Sequence, residues 1–209
     1  MITAAALGPL QANCYLIYDE AVGSGVVVDP GGEAGRITAM AAAAGVRVEA
    51  ILITHGHADH MAAAAELVAA TGAQMCGSEE VRMVLADPGR FELFPGMPRV
   101  MPAAIDRLLA GGETLTFGAI AVRALATPGH SPGSLTYAAG GGLFCGDLLF
   151  HGSIGRTDLP GGSFEVLSAS IGKLMASFPP ATPVFPGHGN ATTLGQEKEN
   201  NLFLADMDL

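Results

Sequence analysis

The sequence predicts an α/β fold, with α+β as its near variant. Short β-branched runs alternate with Ala-rich helical runs, and four of the strands end directly at a histidine or an aspartate. Those junctions are Thr54-His55, Gly129-His130, Gly146-Asp147 and Gly187-His188. Strand ends are where loops carry chemistry on a rigid base.

The first half predicts paired strands over 13–19 and 25–32, the second stopping at a Pro-Gly turn. A short Ala-rich helix follows over Glu33–Ala44. Residues 49–54, EAILIT, read as a short buried strand. One continuous helix is expected over 60–73, closed by Gly72, with a further strand over 73–77. Residues 88–103 carry four prolines and two glycines and read as a long loop, the kind that often covers a site. In the second half, 113–130 reads as a hairpin ending in a Pro-Gly turn. Strands follow over 134–139 and 142–147 around a glycine turn. Ser163–Ser177 is a helix whose Phe164, Leu167, Ile171 and Leu174 fall on one face. A last strand, 182–189, leads to His188. No sequence repeat of 20–50 residues is evident.

A chain of 209 residues supports one sizeable core and reads as a single domain over 1–209. With 49% apolar and 14% charged residues it should fold compactly. A net charge of −10 argues against nucleic-acid partners, which need a basic face. The Ala-rich runs at 39–45 and 61–70 are too short to span a membrane, and the second contains Glu66. The N-terminus lacks the basic region of an export signal. Cys14, Cys76 and Cys145 are odd in number and form no CxxC pair. Both features give a cytoplasmic expectation.

The chemistry concentrates in ILITHGHADH, residues 51–60. Three of the six histidines, His55, His57 and His60, fall within six positions together with Asp59. A surface turn or a helix start at Asp59 is the bland alternative. Taken singly, His130 or His188 reads as structural, and Asp147 as a turn or a helix cap. Imidazole and carboxylate donors suit zinc, iron or manganese, and no thiolate is needed. On an extended segment His55 and His57, at i and i+2, point the same way. With His130, Asp147 and His188 the donors number seven, more than one ion takes while leaving a water position. Two ions sharing one carboxylate fit that number. His151 stands outside the set.

THGHADH, TPGH, CGDLLF and PGHG, in this order, resemble the metallo-β-lactamase superfamily, and the resemblance runs from Asn13-Cys14-Tyr15 and Asp29-Pro30-Gly31-Gly32 to the last histidine. It implies an αββα four-layer sandwich with a dinuclear site on one edge of two packed sheets. It also implies a first metal on His55, His57 and His130, a second on Asp59, His60 and His188, and Asp147 bridging. Asp29 would support the histidine loop without ligating. Within the family, Asp147 argues against true β-lactamases, His57 against flavodiiron proteins, and the missing PxKxRN-like stretch against RNA-processing nucleases.

GDLLFHGSIGRTDLPGG (146–162) and TTLGQEKENNLF (192–203) resemble small glyoxalase II-like hydrolases. That branch implies hydrolysis of an S-2-hydroxyacylglutathione, a small-molecule thioester, with Asp59 and Asp147 in catalytic positions. Two divalent ions are implied, zinc being the expectation, with iron and manganese compatible. Larger relatives add a C-terminal helical glutathione-binding domain, which a chain ending at Leu209 is expected to lack. Arg156, nine residues after Asp147, stands where related glyoxalases place a substrate-binding lysine. Its alternative is to brace its loop against Asp158. An iron persulfide dioxygenase, or a hydrolase of lactones or phosphoesters, shares the same superfamily pattern.

Overall fold

The computed structural model of the protein describes residues 1–91, 96–205 and 207. Its first sheet begins as an antiparallel meander of β1 (Ile2–Leu7), β2 (Ala12–Asp19) and β3 (Ser24–Val28). It continues in parallel through β4 (Arg47–Leu52), β5 (Gln74–Gly77) and β6 (Arg107–Leu108). The second sheet holds β7 (Thr114–Phe117), β8 (Ile120–Ala126), β9 (Leu135–Ala139) and β10 (Gly142–Gly146). After a small ribbon, β11 (Leu149–Phe150) with β12 (Ser153–Ile154), it adds β13 (Pro183–Pro186) and β14 (Thr192–Thr193). Strand order is β1-β2-β3-β4-β5-β6 in one sheet and β14-β13-β10-β9-β8-β7 in the other.

Side-chain alternation sorts these strands into layers. Along β4 and just beyond it, Ala50 and Leu52 face the second sheet, while Ile51 and Ile53 face helices α1 (Ala34–Ala43) and α3 (Ala64–Thr71). Along β10, Phe144 faces the first sheet, while Leu143 and Cys145 meet Leu167 and Ile171 of α5 (Phe164–Ser177). Three apolar layers separated by two sheets, with helices outermost, make an αββα sandwich. Leu135 N–H donates to the Thr54 carbonyl across the sheets at 2.8 Å, and Tyr137 Oη donates to Ile53 at 2.8 Å. Both bonds lie where β4 runs into the histidine stretch.

Several boundaries differ from the sequence expectation. The strand expected over 25–32 stops at Val28, because Asp29 turns to φ +51. The single helix expected over 60–73 is two: α2 (Ala58–Met61), one turn long, and α3, capped by Gly72 in the left-handed conformation. The break has a definite cause. Ala63 N–H donates to the Pro30 carbonyl at 3.0 Å and not to the Asp59 carbonyl one turn back. Phe164, expected on the buried face of α5, sits in the first turn and is exposed, whereas Leu167, Ile171 and Leu174 are buried. Helices α4 (Glu79–Ala86) and α6 (Leu194–Asn200) were not expected. Residues 92–95 of the expected 88–103 loop lie outside the described residues, and 88–91 form a 3₁₀ turn. Among the described residues no helix is long and apolar enough to cross a membrane.

Gly31 shows how tightly α2 is seated. A Cβ at that position would run into the backbone carbonyl of Asp59. The expected outcome for Gly31→Ala is a loss of about 1–3 kcal/mol, the usual range for overpacking a close contact, read from the urea midpoint. Gly35→Ala, in α1 with open space around it, should be neutral or slightly stabilising. Equal effects at the two glycines would remove the steric explanation.

Candidate metal centre

All the strand ends singled out by sequence lie on one edge of the sandwich. His55 lies in the turn after β4, His57 is the N-cap of α2, and α2 carries Asp59 and His60. His130 follows Gly129, whose φ of +133 and position against the Leu167 backbone admit no side chain. Asp147 follows Gly146 at the end of β10, and His188 follows β13.

The ring nitrogens converge in two groups. His55 Nε2 lies 3.1 Å from His57 Nδ1, which lies 2.9 Å from His130 Nε2. Each of the neighbouring rings is fixed by an acceptor on its far side. His130 Nδ1–H donates to the Arg156 carbonyl at 2.8 Å. Thr54 Oγ1 donates to Asp29 Oδ2 at 2.7 Å and is therefore left to accept from His55 Nδ1, 3.0 Å away. Rings so tied at Nδ1 turn their Nε2 atoms toward His57 Nδ1, where one proton or one cation can be shared among the three nitrogens. Burial and the neighbouring histidines hold His55 well below its usual value, and burial together with His130 pushes His57 down to about 4. Both are neutral at pH 7, the form that ligates.

The second group is built on His60. Its Nδ1–H donates to Asp29 Oδ2 at 2.9 Å, which aims Nε2 at Asp147 Oδ1, 3.3 Å away, and at Asp59 Oδ2, 3.7 Å away. His188 Nε2 lies 3.2 Å from Asp59 Oδ2. Asp147 lies between the groups, its Oδ2 3.7 Å from His130 Nε2 and 3.8 Å from His188 Nε2. His60 Nε2 and Asp147 Oδ1 are buried without any hydrogen-bond partner, a costly state unless a ligand completes them. Burial would lower His60, but Asp147 and Asp29 hold it well above its usual value. Burial would likewise raise Asp147, but His60 and its neighbours keep it below the usual carboxylate range. The carboxylates thus draw protons to His60 and His188, and a divalent ion would stand in for those protons. The donor sets His55/His57/His130 and Asp59/His60/His188 each bring one atom per residue within 4.8 Å of the others, close enough to hold an ion.

Asp29 accepts the Thr54 backbone N–H at 2.8 Å besides its bonds to Thr54 Oγ1 and His60. Its place in the structure is behind the histidines. The Arg156 guanidinium pairs with Asp158 at 2.7 and 2.8 Å and is exposed, while its carbonyl holds His130. His151 stands apart, 3.0 Å from Gln196. Cys145 is buried, and burial pushes its thiol up to about 12, so it is no nucleophile at neutral pH.

Three supporting residues escaped the sequence reading. Asn13 Nδ2 donates to the carbonyls of Pro186 and Gly189, at 3.0 and 2.9 Å, and holds the His188 turn. Thr54 links Asp29 to His55. Glu80 of α4 accepts from Ser131 Oγ at 2.6 Å and Gly133 N–H at 2.8 Å, anchoring the turn that carries His130. Ser78 followed by Glu79 and Glu80 is an N-cap signature that could have placed α4.

The family described as Metallo-beta-lactamase superfamily matches residues 7–188. Hydroxyacylglutathione hydrolase GloC of Haemophilus influenzae is 36% identical over 199 residues, 93% of each chain. The crystal structure of BLEG-1 B3 metallo-beta-lactamase superposes with a TM-score of 0.91 at 38% identity, covering 98% of this chain and 100% of that one. That of TTHA1623 in a di-iron-bound form superposes at 0.83 with 36% identity, covering 97% and 100%.

Removing the Asp29 acceptor releases Thr54 and His60 together. Asp29→Asn should weaken divalent-ion binding about 10–100-fold, the usual cost of losing a carboxylate behind a ligating histidine. Chelator competition on the purified protein measures this, and unchanged affinity would remove the buttressing role.

Proposed function

We propose that this chain, which belongs to the metallo-beta-lactamase superfamily, a group of metal-dependent hydrolases, hydrolyses 2-hydroxyacyl thioesters of the S-lactoylglutathione type. The observation that supports two ions rather than one is the pair of donor sets with Asp147 between them. His55, His57 and His130 would hold the first ion, Asp59, His60 and His188 the second, and Asp147 both. Divalent ions there would supply an acidified water near neutral pH and polarise a carbonyl.

The chain's own residues do the rest. Asp29, the Arg156 carbonyl and Thr54 fix the rings, so little reorganisation is left for the reaction. Asp59 would accept a hydrogen bond from the attacking water through a carboxylate oxygen and orient it. A thiolate leaves readily, so no general acid is required. The set contains no serine nucleophile, and Cys145 stays protonated. Arg156 is the proposed contact for a substrate carboxylate. It would exchange Asp158 for the substrate, and exposed pairs of this kind are easily exchanged. Zinc is the proposed metal, and the same donors accept iron and manganese.

The likeness to a B3 metallo-beta-lactamase keeps β-lactam hydrolysis as a second reading, although Asp147 argues against it.

Reconstituted protein should take up two metal equivalents and turn over S-lactoylglutathione. A protein with a ceiling of one metal that consumes oxygen with a persulfide, or one that opens a β-lactam while leaving thioesters intact, overturns the proposal. Asp147→Ala should lower kcat on the order of 100-fold. Arg156→Ala should raise KM and leave kcat nearly unchanged, because a remote contact binds ground and transition states alike. A fall in kcat with KM untouched would refute the role given to Arg156.

A further inference from the structure

A pocket of about 410 Å³ opens beside the first histidine group. Gly56, His57 and Ala58 border it on the side of the candidate metal centre. Val84, Pro88, Met97, Pro98, Met101 and Pro102 line it as well. Its size is that of a small-molecule site. The prolines stiffen the walls, and the two methionines adapt to the shape of what they cover. Met101 is 49% exposed and so is open to a ligand entering the pocket.

Arg99 also lines this pocket. It is one of only ten basic residues in a chain of net charge −10. Arg36, Arg47, Arg82 and Arg156 are each paired with a carboxylate. Arg99 has no such partner among the described residues. Arg99 is the one lysine or arginine among the pocket's described lining residues, so it is the group there suited to receive an anion.

We infer that this pocket seats the thiol carrier of the substrate, a peptide-sized thiol with a carboxylate that Arg99 receives. The inference rests on the thioester-hydrolase reading and adds a place for the thiol half, Arg99 taking one of its carboxylates and Arg156 remaining the proposed contact for another. Size selects the half. A three-carbon 2-hydroxyacyl group leaves most of the pocket unfilled, whereas a peptide-sized thiol fills it. The border with His57 puts the carrier's sulfur end next to the proposed reaction centre, and Arg99 in the same lining takes its carboxylate.

Two measurements test this. The first compares kcat/KM for S-lactoylglutathione with that for S-lactoyl-N-acetylcysteamine, whose thiol bears no carboxylate. Arg99→Glu should reduce the ratio of the two at least tenfold. A ratio unchanged within twofold overturns the assignment. The second uses zinc-loaded protein with ¹³C-methyl methionine, titrated with the non-hydrolysable S-methylglutathione. Of nine methionines, Met97 and Met101 should shift saturably, assigned through Met97→Leu and Met101→Leu, and the shifts should weaken in Arg99→Glu. Shifts elsewhere, or none, reject the pocket. The two readings fail separately. A protein that hydrolyses no thioester but shows Arg99-dependent shifts at Met97 and Met101 keeps the pocket and loses the hydrolase. One that hydrolyses thioesters with neither methionine moving loses the pocket alone.

Discussion

One carboxylate ties the active edge together. Asp29 takes the backbone N–H and the hydroxyl of Thr54 and the Nδ1–H of His60. Through Thr54 it also fixes the ring of His55. Three elements are thereby locked: the end of β3, the exit of β4 and the single turn of α2. The residue adopts φ +51 to do this, a conformation that costs a non-glycine residue energy and that an aspartate tolerates better than most. Such strain persists only where the surroundings over-determine it, and three hydrogen bonds to one buried side chain do that here.

The electrostatic design follows from the same arrangement. The chain is acidic overall, yet its centre gathers imidazoles around Asp59 and Asp147. His55 and His57 are held neutral in one group, and in the other His60 is drawn toward the charged form by carboxylates. Burying these groups without an ion is unfavourable, as the orphaned His60 Nε2 and Asp147 Oδ1 indicate. A cation bound between them would complete both atoms.

The sequence made much of this legible because strand periodicity and the punctuating glycines are local signals. The strand ends at His55, His130, Asp147 and His188 could be read in one dimension, and the fold brings all four to one edge. What was not legible depends on distant backbone. The split between α2 and α3 comes from a bond to Pro30, more than thirty residues upstream, and nothing in HMAAAAELV announces it. Asp29 ends its strand early for partners 25 and 31 residues away. Helix α4 is a different case. Its capping signature was present locally, and with it Glu80 and Val84 of the pocket lining could have been anticipated.

The donors come from both sheets. His55, His57, Asp59 and His60 follow the first, and His130, Asp147 and His188 follow the second. Away from this edge, the sheets meet mainly through apolar contact, which is strong but without direction. Ions bound at the edge would act as rivets. Their affinity for the closed sandwich would be free energy against splaying the two halves, growing with the logarithm of ion concentration. In mechanical terms the molecule is a clamshell fastened at its mouth. Its resistance to being pried open would then be set by metal supply as much as by its core.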